Sequence, residues 1–259
     1  MSISDSGDVQ WWRPHASCAG VEILHVDLSP NESHDQAALA WLDCTEYQRW
    51  QRFRVERARR QFSRCRAALR MCLCERLGCR NDRLAFGAGK YGKPFAMIDG
   101  RASEAAFNVS HSHEHGLIAF GTDGVRLGVD VETRRARDTL RLASESVFGK
   151  CERDALAGLS GWDWYVLFFR LWTVKEALIK ALGTGFSLNP RKFEVPQGVL
   201  EGDSSSRFRF PHLPDNQWLV ADLGDRRFAA SLALETEADD DAKPEITFPL
   251  HEDTPRFIA

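Results

Sequence analysis

The order in which hydrophobic periodicities follow one another constrains this chain more than any single motif. A partly alternating strand pattern at 21–28 is closed by Ser29-Pro30. Helical periodicity follows from about Ser33 to Leu77, broken near Cys44 and stopped at Gly78. Short strand patterns come next at 83–86, 106–109 and 116–121. The plan then begins again, with a cleanly alternating strand at 125–132 and helices at 137–148, 152–159 and 162–182. Strands are expected at 192–195, 207–210, 218–223 and 227–235. Strand, helices and strands, twice over, predict an α+β fold of two similar lobes related by a pseudo-two-fold. The expected division is 1–122 and 123–259, the second lobe ending in an acidic, proline-spaced tail from Ala238 that lies loosely on the surface.

Composition narrows the function classes. The 259 residues carry a net charge of −3, which excludes a chain that binds nucleic acid through its overall charge. No apolar run approaches the roughly 20 residues that span a bilayer. The polar residues 1–10 lack the order of a signal peptide, so the expected location is the cytoplasm. Seven cysteines cannot all pair with one another. Cys65, Cys72, Cys74 and Cys79 lie on a helical stretch without C-x-x-C spacing, so reduced thiols are expected.

Several groups could carry chemistry. On the strand at 125–132, Leu127, Val129 and Val131 share one face, and Asp130 and Glu132 the other. Two neighbouring carboxylates either stand on a solvated face or hold a hard cation, and magnesium suits sites that also bind phosphate. On the long helix, Leu167, Leu171, Val174, Leu178 and Leu182 form a core stripe, while Trp172, Glu176 and Lys180 recur on another face. Glu176 and Lys180 form either a helical ion pair or a metal ligand and a phosphate-binding cation. Asn108-Val109-Ser110-His111-Ser112 is either turn chemistry or a phosphate-binding strand end. Lys90 and Lys93, on a glycine-rich turn, are either solvated or set toward an anion. Nine arginines between Arg49 and Arg70 read mostly as a solvated helix face. Gly87 to Gly92 matches G-x-G-x-x-G, but Lys93-Pro94 and a non-helical 95–99 follow, against a dinucleotide fold. A zinc-dependent hydrolase built on His111, His113 and His115 is the alternative enzyme.

Taken in order, the segments GKP at 92–94, FNVSHS at 107–112, GVDVE at 128–132 and LWTVKEALIKALGTG at 171–185 resemble the 4'-phosphopantetheinyl transferase superfamily, in its larger, surfactin-synthetase-activator branch. The resemblance implies a monomer whose two lobes bind coenzyme A between them. It implies magnesium on Asp130, Glu132 and Glu176, with Glu132 a direct ligand or a close neighbour. It implies coenzyme A contacts from Arg52, Lys90, Lys93, Asn108, Ser110, His111 and Lys180. The implied reaction moves the phosphopantetheine arm of coenzyme A to a serine of an apo acyl or peptidyl carrier protein, the setting being secondary metabolism. Glu176 and Lys180 are the implied catalytic pair. A coenzyme A or carrier-binding module without turnover is a further alternative, against which the joint presence of Asp130, Glu132, Glu176 and Lys180 argues.

Overall fold

A computed structural model of the protein describes residues 10–185, 188–237 and 244–249. The first part opens with β1 (Trp12–Cys18) and β2 (Val21–Asp27). Three helices follow: α1 (Glu32–Leu39), α2 (Cys44–Arg52) and α3 (Glu56–Leu77). Gly78 closes α3 at φ 59°, the left-handed C-cap its position predicts. A small hairpin sheet, β3 (Leu84–Ala88), β4 (Pro94–Ile98) and β5 (Arg101–Ala102), precedes β6 (Phe107–Ser112) and β7 (His115–Phe120). The second part runs through β8 (Leu127–Glu132), α4 (Thr139–Val147), α5 (Lys150–Ala157) and α6 (Gly161–Leu182). It continues with α7 (Gln197–Glu201), β9 (Ser205–Phe210), β10 (Leu213–Asp222), β11 (Ala229–Thr236) and β12 (Ile246–Thr247).

The strands form two larger antiparallel sheets, ordered β12-β1-β2-β7-β6 and β8-β11-β10-β9. Strand alternation sorts their side chains into layers. Leu24, Val26, Ile118 and Phe120 pack with Leu69 and Leu73 of α3. Their neighbours Ile23, Leu117 and Ala119 turn the other way and meet Val129, Val131, Leu219 and Leu232 of the second sheet. Trp218, Val220 and Ala233 then pack against Leu171, Val174 and Leu178 of α6. The result is a helix–sheet–sheet–helix stack with two mixed lobes, as the α+β plan requires. Among the described residues no helix is long and apolar enough to cross a membrane.

Three sequence expectations are corrected. Residues 192–195 are not a strand: 190–192 form a 3-10 turn. The backbone there bonds side chains instead of a neighbouring strand, since Lys175 Nζ donates to Pro190 O (2.7 Å) and Phe193 O (2.6 Å), and Val195 N–H donates to Glu152 Oε1 (2.8 Å). Arg60, Arg64 and Arg70 are buried rather than solvated. Arg64 donates to Asp35 Oδ1 (2.7 Å) and to the carbonyls of Asp27, Ser29 and Asn31, so one guanidinium ties β2 and α1 to α3. Arg70 does the same for α2 and β3 through Glu46, Asn81 and Leu84. The tail was expected to lie loosely. Residues 238–243 and 250–259 lie outside the described residues, but Ile246 and Thr247 pair with Cys18 and Ser17 at the edge of the first sheet. All seven cysteines are free thiols.

Candidate active site between the two sheets

The edges β6 and β8 meet where the two sheets adjoin. Gly128 lets α6 lie directly on β8, because a Cβ there would overlap the backbone at Ala177 and Ala181. That close approach brings Lys180, in the last turn of α6, to Asp130 on the strand. Lys180 Nζ donates to Asp130 Oδ1 (2.6 Å), Ser110 Oγ (2.8 Å) and Val129 O (3.2 Å). Ser110 Oγ in turn donates to Asp130 Oδ1 (2.8 Å). Asp130 is 4% exposed, so its face of the strand is covered, not solvated. Its other oxygen, Oδ2, is buried with no hydrogen-bond partner.

Glu132 stands two residues on and accepts from Ser112 Oγ (2.7 Å). Burial, with help from the Asp130 charge, pushes the Glu132 carboxyl up to about 6, although the Ser112 hydrogen bond pulls it down. Burial and the Asp130 charge also raise the Glu176 carboxyl above its usual range. Buried acids held near one another resist ionising together, and Asp130 Oδ2 among them has no hydrogen-bond partner. The donor set of hard oxygens fits magnesium. Among the described residues no three such groups are already gathered around a point as for a bound ion; in this arrangement Lys180 supplies the positive charge.

A cavity of about 270 Å³ opens beside this cluster, lined by Tyr91, Lys93, Asn108, Glu176, Lys180 and Gly183 among others. The expected site residues fall into two groups. Asn108, Ser110, Asp130, Glu132, Glu176 and Lys180 come together. Lys93 lines the cavity, but its ammonium donates to Leu127 O (2.9 Å) and Ala181 O (3.2 Å), holding the β3–β4 hairpin against the end of α6. Burial pushes the Lys93 amine down to about 8. Lys90 is exposed, 5.2 Å from the centre of the Tyr91 ring. Arg52 is exposed on the last turn of α2, and neither it nor Lys90 lines the cavity. His111 is itself exposed, on the β6 face whose Phe107 and Val109 enter the first-lobe core, and partial desolvation and Lys180 lower it from the usual histidine range.

The three histidines of the zinc alternative are not gathered into a site. His113 sits in the β6–β7 turn at φ 53°, and His115 Nδ1 bonds His25 Nε2 (3.0 Å). With His113 in the turn and His115 tied to His25, the three imidazoles do not converge, and the zinc reading is set aside. Sequence reasoning took Ser112 only as part of a candidate phosphate-binding segment, with no role of its own, and gave Gly128 no place in the site. The polar residues at alternate positions 108, 110 and 112 were a signal for the first; the second depended on where α6 would cross.

A buried acid–lysine cluster beside a cavity, where two α+β lobes meet, defines a site suited to handling phosphate. Comparison with known proteins gives the class a family. Residues 126–233 match the profile of the 4'-phosphopantetheinyl transferase superfamily, and residues 27–122 match that of the 4'-phosphopantetheinyl transferase N-terminal region. A Synechocystis protein with a provisional 4'-phosphopantetheinyl transferase name is 34% identical over 71% of this chain and 75% of its own. The 4'-phosphopantetheinyl transferase HetI of Nostoc is 32% identical over 64% of this chain and 70% of its own. The 4'-phosphopantetheinyl transferase Sfp of Bacillus subtilis is 33% identical over 43% of this chain and 47% of its own. The chain belongs to the 4'-phosphopantetheinyl transferase superfamily. It is an enzyme of that type, and the superfamily uses coenzyme A as substrate and acts on carrier proteins.

Proposed function

We propose that this enzyme moves the 4'-phosphopantetheine arm of coenzyme A to a serine of an apo acyl or peptidyl carrier protein, in the cytoplasm and as a monomer, with magnesium as its metal. The observation that carries the site assignment is the Lys180–Asp130 pair of 2.6 Å, with Asp130 Oδ2 left buried and unpartnered beside it. The lobes are taken as 1–122 and 123–259, with β12 reaching back to the first sheet. Asp130, Glu132 and Glu176 would hold magnesium, which neutralises charge on the pyrophosphate when bound. Lys180 moves from Asp130 to the phosphate, and Asn108 and Gly183 wall the pocket that receives it. Small-molecule pockets span about 300–1,000 Å³, so this cavity suits one end of coenzyme A rather than all of it. Arg52, Lys90 and His111 are then left to meet the remainder of the molecule from outside the cavity.

The serine oxygen attacks the β-phosphorus as the bond to the departing 3',5'-ADP breaks, and the serine proton passes to a Glu176 carboxylate oxygen. Positioning and charge neutralisation do most of the work in such a transfer. Burial and the Asp130 charge raise the Glu176 carboxyl, so it takes up a proton more readily than an ordinary glutamate. Intact mass spectrometry of an apo carrier protein, incubated with enzyme, coenzyme A and magnesium, tests the reading. One phosphopantetheine should be gained, and EDTA should prevent it. Glu176→Gln should lower turnover by about 10²–10⁴-fold while coenzyme A still binds. Modification that survives EDTA would remove the metal from the assignment, and unchanged turnover in Glu176→Gln would remove the base.

A further inference from the structure

The strands β6 and β8 are the facing edges of two different sheets, and they do not pair through their backbones. Exposed edge N–H groups demand partners. Here side chains supply them. Asn108 Oδ1 accepts from Val129 N–H (2.9 Å), Ser110 Oγ from Val131 N–H (3.3 Å) and Ser112 Oγ from Thr133 N–H (3.2 Å). The steps advance by two residues on both strands, so the edges run parallel with a column of side chains between them. The column holds the edges apart, and Lys180 reaches into the space to bond Ser110 and Val129 O.

The two serines repeat one arrangement. Each accepts the N–H of the residue after an acid and donates its own proton to that acid: Ser110 to Asp130 Oδ1 (2.8 Å), Ser112 to Glu132 Oε2 (2.7 Å). A hydroxyl that accepts from the backbone has its proton aimed elsewhere, so the carboxylate is fixed relative to its own peptide. Thr133 Oγ1 donates back to Ser112 O (3.3 Å), which secures the second of these units from both sides. Ser112 is 7% exposed, and its hydroxyl is nearest Glu132 Oε2 (2.7 Å) and Thr133 N (3.2 Å), with His113 Nδ1 farther off at 3.4 Å.

We infer that Ser112 is a positioning residue: it sets the Glu132 carboxylate for the metal by bonding both that carboxylate and the next peptide across the junction of the two sheets. The inference rests on the proposed magnesium site. Groups that orient metal ligands typically contribute about 10–100-fold in metal affinity.

The test is a Mn²⁺ titration followed by electron paramagnetic resonance, on the full chain with coenzyme A present. Ser112→Ala should weaken Mn²⁺ binding about tenfold, and Ser112→Thr, which keeps the hydroxyl, should restore it. In a Glu132→Gln background, Ser112→Ala should add nothing, because the hydroxyl acts through that carboxylate. A merely structural serine would weaken both backgrounds alike. Unchanged Mn²⁺ affinity in Ser112→Ala, or equal losses in the two backgrounds, overturns the inference. If Ser112→Ala does not fold, Ser112→Cys, close in size and a weak donor, is read in its place. Wild-type protein that binds no Mn²⁺ overturns the metal reading and this inference with it. Wild-type binding that is lost in Asp130→Asn but not in Ser112→Ala overturns this inference alone.

Discussion

A Cβ on Gly128 would overlap the carbonyl oxygen of Ala177 and the amide nitrogen of Ala181, both backbone atoms of α6. At Gly87 the corresponding obstacle is the ring of Phe95, a side chain that can turn. Backbone cannot turn without moving its helix, so Gly128→Ala must separate β8 from α6. Overpacking commonly costs about 1–3 kcal/mol, and a backbone clash belongs at the upper end. Urea unfolding of Gly128→Ala should show that loss. Turnover should fall further than stability, because the same displacement stretches the 2.6 Å contact from Lys180 to Asp130. A variant with wild-type stability and turnover would mean that β8 and α6 have room to spare. The sequence revealed which face of β8 carries Asp130 and Glu132, since alternation is a local property. It did not reveal why residue 128 is glycine, because the atoms that forbid a side chain come from a helix far along the chain.

At the scale of elements, α6 organises the second lobe through different faces. Its leucine stripe was readable, and Leu171, Val174 and Leu178 are buried as the spacing requires. Lys175 was not readable as a core residue. It is 1% exposed, 2.9 Å from Glu152 Oε2, and it donates to the carbonyls of Pro190 and Phe193. Glu152 is itself fully buried and accepts from Gly149 N–H (2.7 Å) and Val195 N–H (2.8 Å). One ion pair thus joins α6, the start of α5 and residues 190–195. This is why the apolar pattern at 192–195 misled: its alternation satisfies packing around Phe193 and Val195, while its backbone bonds go to two charged side chains. Periodicity reports burial and not the partner of each N–H. Lys175→Met should leave Glu152 as an uncompensated buried charge, a loss of about 3–5 kcal/mol. Denaturant titration of the single variant against Lys175→Met with Glu152→Gln checks the cause. The double variant should recover part of the loss, and equal losses would assign the effect to packing of the lysine stem alone.

For the whole molecule, the critical surface is the one between the two sheets, since the site exists only when β6 and β8 are held together. The middle of that surface is apolar, but one corner holds three histidines. His15 and His25 are buried, and His15 Nε2 lies 2.8 Å from Leu223 O of the other lobe. His25 bonds His115 and stacks on Phe228 with ring centres 5.7 Å apart. Burial holds His25 down to about 3, with His115, Arg227 and His15 adding repulsion against a proton. Burial lowers His15 and His115 as well, although Asp225 opposes the shift in both. The sign follows from linkage. An unfolded histidine takes up a proton near pH 6.5 and folded His25 does not, so the unfolded chain binds more protons between those two values. Stability from this residue is complete above pH 6.5 and is lost as pH falls toward 3. By pH 5 the loss from His25 alone is about 2 kcal/mol. The protein should therefore unfold more readily in mild acid, and phosphopantetheinyl transfer should fail there as the lobes part and the β6–β8 column opens. His25→Gln keeps a donor for His115 Nδ1 without the titration. Thermal unfolding between pH 7 and 4.5 should show a shallower decline for this variant than for wild type. Parallel declines would mean that the acid sensitivity lies in other groups and that this histidine corner does not control the junction.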